Sequence, residues 1–298
     1  MTRHGAGRPA AMARVSPRRR LLLGAVAASV AASIAPRTWG QADAAEPGSA
    51  PEEPNPLALS LGTLGPRLIA AGAIDTARFI AACARAGEPL DAKRMQLLSA
   101  GSDAPLAMDR SSAHFLLNFL WALGLANDNP ILTRGPMLQN GFSRVAGYAS
   151  TGGWTLAARP VMEIYARSPL IALSAEQQQR LEELSASVYR PCCDNPTRFP
   201  DCNHGMAMLG LLTLLAAEGR DVKALFLAAK TANRFWFPQQ TLQLARYVEA
   251  TRGVRYAQLD VREATGRTLF SASGFRAIAA WYNAREPRTP ANGSRCAP

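Results

Sequence analysis

The sequence predicts an all-α fold, a single globular domain with two buried central helices wrapped by amphipathic helices. Three observations carry that expectation. Segments around 113–125 and 204–217 are apolar around the whole helical circumference, which a soluble helix tolerates only inside a domain. The segments between them repeat apolar residues every three to four positions and open on Ser or Asp caps. The one candidate strand, within 254–270, has no obvious partner to pair with.

Taken in order, residues 45–58 are rich in Pro and Glu, lack periodicity and read as a flexible spacer. The folded domain is expected over 59–286. Pro66 begins a short helix over 67–71, and Asp75 caps a second one that places Phe79, Ile80 and Cys83 on one face. Gly87 and Pro89 stop that helix, and Cys83 reads as a small buried apolar residue. A third helix covers 92–99. Asp109 opens the first all-apolar helix, in which His114, Asn118 and Trp121 share a face at i, i+4, i+7. A His–Asn pair in a buried helix must be hydrogen-bonded. It is either a satisfied core pair or the place where His114 faces a site built by Cys202 and His204.

Residues 126–157 form the longest stretch without helical periodicity, yet Phe142, Tyr148 and Trp154 argue for packing, as a loop laid over a pocket would show. Helices are expected over 158–166, from Ser174 to Pro191 behind the capping box Ser174-x-x-Gln177, and over 202–217 behind Asp201. Further helices run from Asp221 to about 235, from Pro238 to about 251, and from Ser273 through Trp281. The tail 287–298, with Cys296, reads as unstructured. No internal repeat of fixed period is present.

The first 44 residues read as an address. Arg18-Arg19-Arg20 runs into the Ala- and Leu-rich stretch 21–34, and Ala42-Asp43-Ala44 offers a small-x-small cleavage site. The apolar stretch is shorter than the roughly 20 residues of a spanning helix, so no membrane span is expected in the mature chain. This leader resembles a twin-arginine (Tat) signal: the arginines and Leu22 match, while Pro17 replaces the preceding Ser and leucines replace Phe and Lys. The resemblance covers the leader alone. It implies a bacterial periplasmic protein that the Tat translocon carries across already folded, often with a cofactor loaded in the cytoplasm.

The whole chain carries a formal charge of +11, but residues 1–44 hold seven arginines against one Asp. A net +5 remains on the mature part, spread without a Lys/Arg cluster interleaved with aromatics, which excludes a nucleic-acid footprint. Five cysteines are too few to build a disulfide scaffold of this size, and their odd number leaves one unpaired within the chain.

Chemistry concentrates in one place. Cys192, Cys193, Cys202 and His204 fall within thirteen residues, with spacing Cys-Cys-x8-Cys-x-His, in a turn that feeds the second apolar helix. Thiolates and imidazole are ligands for soft transition ions, so this set, joined by His114, points to copper or zinc held by a carrier or metalloenzyme. With Asp201 as cap, Cys202 is the first helical residue and its thiolate is favoured by the helix dipole. Met206 and Met208, one turn deeper, would suit Cu(I) or belong to the core.

Two other readings stand beside this one. Cys192 or Cys193 could pair with Cys202, giving a disulfide staple or thiol–disulfide redox chemistry. Alternatively the turn is structural and an organic small molecule binds under the 126–157 segment. The spacing fits no Cys-x-x-Cys redox motif, haem-attachment motif or zinc ribbon. There is no Gly-x-Ser-x-Gly, His-Glu-x-x-His or dinucleotide glycine fingerprint, and Glu163 alone is a weak candidate for a general acid.

Overall fold

The computed structural model describes residues 57–139 and 141–285. The expected leader (1–44), nearly all of the spacer (45–58) and the tail (287–298) lie outside the described residues. What is described is all-α apart from one two-stranded ribbon. Strand β1 (Ala58–Leu59) pairs antiparallel with β2 (Leu106–Ala107), so the chain expected to be spacer up to 58 is already paired there. Among the described residues no helix is long and apolar enough to cross a membrane.

Helices α1 (Leu64–Ala70), α2 (Thr76–Arg85) and α3 (Ala92–Ser99) follow the expected order. The first begins earlier than expected, at Leu64, because Pro66 lacks only an N–H that the first turn leaves unpaired anyway. Asp75 and Asp91 cap the next two by accepting from Arg78 N and Arg94 N. Phe79 and Cys83 are buried, and burial pushes the Cys83 thiol up to about 11, so it is an inert core group.

Helix α4 (Ala113–Ala126) is buried on nearly every side. The segment after it contains short turns of helix, α5 (Pro130–Thr133), a 3-10 turn (Pro136–Leu138) and α6 (Phe142–Val145). Trp154 and Tyr148 pack as expected, whereas Phe142 is 49% exposed. The Trp154 indole donates to Ala73 O at 2.8 Å, the Trp121 indole donates to Ser150 O at 2.7 Å, and Tyr148 meets Phe199 edge to face.

The helix expected over 158–166 shrinks to one turn, α7 (Val161–Ile164). Pro160 disfavours helical geometry in the residue before it, and Ala166 adopts φ 51°, which ends the turn. Helix α8 (Ala175–Ser185) shows the capping box, with Ser174 and Gln177 each bonded to the other's backbone N–H. It stops before Pro191, and residues 188–190 leave it extended toward the thiol turn.

Helix α9 (Asn203–Ala217) is the second central helix, with twelve of its fifteen positions apolar or glycine and all but its ends buried. Helices α10 (Val222–Trp236) and α11 (Pro238–Arg252) return along the domain. Residues 254–270 hold no strand. They form a 3-10 turn (Tyr256–Gln258), α12 (Val261–Ala264) and α13 (Arg267–Phe270), because Asp260 caps Arg262 N and Glu263 N and thus supplies local partners that a strand edge would not. The last helix, α14 (Ala272–Asn283), is capped by Ser271 rather than Ser273.

The centre of the fold is the crossing of α4 and α9. Gly124 and Gly210 face each other there: a β-carbon on Gly124 would collide with the Met206 carbonyl, and one on Gly210 with the Leu120 carbonyl. Two glycines therefore let the backbones touch, which seats Leu and Phe side chains on either side of the contact out of water. Each such side chain contributes about 1.5–3 kcal/mol by burial. Trp236 then ties α10 to the start of α4, donating its indole N–H to Ala113 O at 3.2 Å. This arrangement brings the first turns of α4 and α9 toward one end of the domain, where the thiol turn lies.

Candidate metal centre

The turn between α8 and α9 is built on local hydrogen bonds and held by its neighbours. Thr197 gives both its N–H and its hydroxyl to Val188 O, at 2.8 and 3.0 Å, and Arg198 N donates to Ser185 O. The start of α14 grips the turn from another side. Ala272 N donates to Cys193 O, Ser273 N donates to Asp194 Oδ1 at 2.6 Å, and Arg276 pairs with Asp194. Hydrogen bonds from Ser273 hold the Asp194 carboxyl low, at about 2. Ser150 N donates to Asp201 O, so the long 126–157 segment closes the third side.

Inside the turn lies Arg190, which is 1% exposed. Its Nε donates to Cys202 Sγ at 3.0 Å, Nη1 to Asn195 O at 2.9 Å, and Nη2 to both Phe199 O at 3.3 Å and Asp201 Oδ1 at 2.9 Å. Asn195 Nδ2 donates to the other Asp201 oxygen at 2.7 Å. Burial alone would favour the neutral guanidine, but the surrounding cysteines outweigh it and raise the pKa further, so Arg190 is a fixed cation. Gly205 makes room for it, since a β-carbon there would strike the guanidinium.

This geometry corrects the expected cap. Asp201 is occupied by Arg190 and Asn195, so Cys202 takes the N-cap position and its sulfur accepts from Gly205 N at 3.3 Å. The helix consequently begins at Asn203. Cys202 Sγ lies 3.5 Å from Cys192 Sγ and 3.9 Å from Cys193 Sγ, and all three sulfurs are within 4.8 Å of one another. Hydrogen bonds from the Cys192 and Cys193 thiols, together with the Arg190 charge, hold Cys202 well below the ordinary thiol range. Cys192 is pushed up by its bonds to Cys193 and Cys202. Cys193 is pushed up to about 12: its bond to Cys192 acts downward, but the bond to Cys202 and burial outweigh it. The three sulfurs thus form one mutually interacting group beside the Arg190 guanidinium.

These residues could hold a metal ion. An ion with metal–sulfur bonds of about 2.3 Å places its sulfur ligands about 3.8 Å apart in a tetrahedron and about 4.0 Å apart in a plane. The 3.5 and 3.9 Å separations fall close to those edges. No disulfide is formed among the described cysteines, whose sulfurs stand well beyond the bonded distance of about 2.05 Å.

The group contains no histidine. His204, the second residue of α9, is 7% exposed and lies against Phe237 with ring centroids 4.4 Å apart, with Trp236 at 6.1 Å. Burial lowers its pKa to about 4, the Cys202 charge opposing and the Arg190 charge assisting, so its ring is neutral. His114 is paired within its own helix, its Nε2 and its carbonyl both meeting Asn118 Nδ2, at 3.2 and 3.1 Å. Burial lowers its pKa as well. The structure therefore brings Cys192, Cys193 and Cys202 together and leaves His204 and His114 outside the group; His114 pairs with Asn118 through Nε2, while its buried Nδ1 has no partner. Met206 and Met208 are buried core residues.

Arg190 and Asp201 are the two site residues that sequence reading left without this role. An Arg ahead of vicinal cysteines reads as a solvated charge, and only its complete burial shows otherwise. Set against family models, curated proteins and solved structures, the chain matches none.

Proposed function

We propose that this is an exported periplasmic protein whose Cys192, Cys193 and Cys202 bind a soft transition metal ion, copper or zinc, as carrier or metalloenzyme. The observation that carries the reading is three cysteine sulfurs within 4.8 Å of one another, one of them backed by a fully buried guanidinium. Three thiolates leave one negative charge around a divalent ion and two around a monovalent one, and Arg190 is shared between Cys202 and Asp201, so the site holds the smaller excess more easily. The charge count favours zinc. Three protein ligands leave a further coordination position open, as in metal centres that exchange a ligand or act on a substrate. Cys192 is exposed, so that position is within reach of solvent.

Metal content and free thiols measured on one natively exported sample test the reading. The expected result is close to one zinc or copper per chain, lost in Cys202→Ala and retained in His204→Ala. No metal in the wild-type protein, or metal retained in Cys202→Ala, would sink it. The leader makes a separate expectation. Arg18→Lys with Arg19→Lys blocks export if the Tat translocon is the route, and continued export would point to the general secretory route.

A further inference from the structure

The three sulfurs are not equivalent. Cys192 is exposed and closest to Cys202, whereas Cys193 is half-buried, farther away, and also near Asn195 O at 3.9 Å. Bringing Cys192 and Cys202 from 3.5 Å to a bond of about 2.05 Å needs an approach of about 1.5 Å. The two positions bracket nine residues of the turn, all ahead of α9. Cys202 also receives two N–H donors, from Arg190 and Gly205, that serve a sulfur anion far better than a disulfide sulfur. Forming the bond would leave the buried Arg190 with Asp201 as its only anionic partner.

We infer that Cys192 and Cys202 form a readily reduced thiol–disulfide couple that controls metal occupancy of the same site. The chemistry needs a low-molecular-weight disulfide as oxidant. The Cys202 thiolate attacks one of its sulfurs, forming a mixed disulfide and expelling one thiolate. Cys192 loses its proton to that thiolate and attacks the Cys202 sulfur, expelling the second thiolate. Two cysteines are oxidised, one external disulfide becomes two thiols, and the donor bonds to Cys202 make the return step easy, as in disulfides whose reduced form is the stabilised one. Only Cys193 then remains as a thiol ligand, so a bound ion is released. The release step rests on the metal reading above; the couple itself does not.

The experiment uses the full mature chain titrated with mixtures of reduced and oxidised glutathione, trapped by alkylation and digested with trypsin. Trypsin cuts after Arg180, Arg198 and Arg220 but not between Arg190 and Pro191, so Cys192 and Cys193 share peptide 181–198 and Cys202 lies in peptide 199–220. The expected product is a cross-link between those two peptides. Cys193→Ser should still form the cross-link, and Cys192→Ser should need about tenfold more oxidised glutathione than Cys193→Ser or fail to cross-link. Zinc loaded beforehand should appear in solution in step with the cross-link. A disulfide confined to peptide 181–198, no cross-link at any ratio, or the reverse pattern in the two variants overturns the couple. Cross-linking in a chain that takes up neither zinc nor copper supports the couple and overturns the metal reading. Zinc uptake without cross-linking does the opposite.

Discussion

Arg190→Met is expected to cost about 3–5 kcal/mol of folding stability, the range for removing one partner of a buried ion pair. The methionine fills much of the space but satisfies nothing. Asp201 keeps only Asn195, the carbonyls of Asn195 and Phe199 lose their guanidinium donor inside the turn, and of its N–H donors the Cys202 sulfur keeps only Gly205. Arg190→Lys should recover part of the loss. An ammonium restores the charge, but it is a point donor and cannot span four acceptors laid out for a planar fork. Urea denaturation of reduced, metal-free protein measures both. A loss below about 1 kcal/mol for Arg190→Met would mean that the guanidinium is tolerated rather than needed. The same variant should lose the metal, because the site then carries an uncompensated negative charge and Cys202 is no longer held in place.

Gly210→Leu, and equally Gly124→Leu, should be more damaging than an ordinary core substitution and is expected to exceed 3 kcal/mol or to prevent folding. Overpacking a core usually costs about 1–3 kcal/mol because side chains can shift. Here the atoms in the way are the carbonyls of Leu120 and Met206 and the facing backbone amides, which cannot rotate aside. The helices would have to separate along the most buried crossing in the domain. Alanine makes a sharper test, since it gains about 1 kcal/mol of helix propensity over glycine. If Gly210→Ala is nonetheless destabilised in thermal or urea melts, the contact outweighs the propensity; a stabilised variant would show that α4 and α9 do not touch there. Gly219, beyond the end of α9 at φ 76°, is the control: it has open space but a left-handed backbone, so its substitution costs only local strain.

How much of this was legible beforehand differs by element. The caps at Asp75, Ser174 and Asp221 were readable because a short polar side chain ahead of a periodic run answers to local geometry alone. The cap of α9 was not. Asp201 and Cys202 are adjacent, and Asp is the better cap by propensity; it lost that role because Arg190, eleven residues earlier, claims its carboxylate. The helix expected over 158–166 and the strand within 254–270 failed for similar reasons, in that Pro160 and Asp260 offered local alternatives that the periodic pattern does not record.

From the sequence by itself follow the all-α class, the two central helices and the location of the thiols. Hydrophobic periodicity and the crowding of Cys192, Cys193 and Cys202 are properties of the chain read along its length. Tertiary structure alone decided which groups meet. It set three sulfurs together and His114 and His204 apart from them, and it turned an unremarked Arg190 into the charge at the base of the site. The physical reason is that burial and pairing belong to the folded arrangement. An arginine beside a cysteine pair is written identically in the sequence whether water or protein surrounds it, and the closure of the 190–201 turn against α8, α14 and the 126–157 segment is what removes the water.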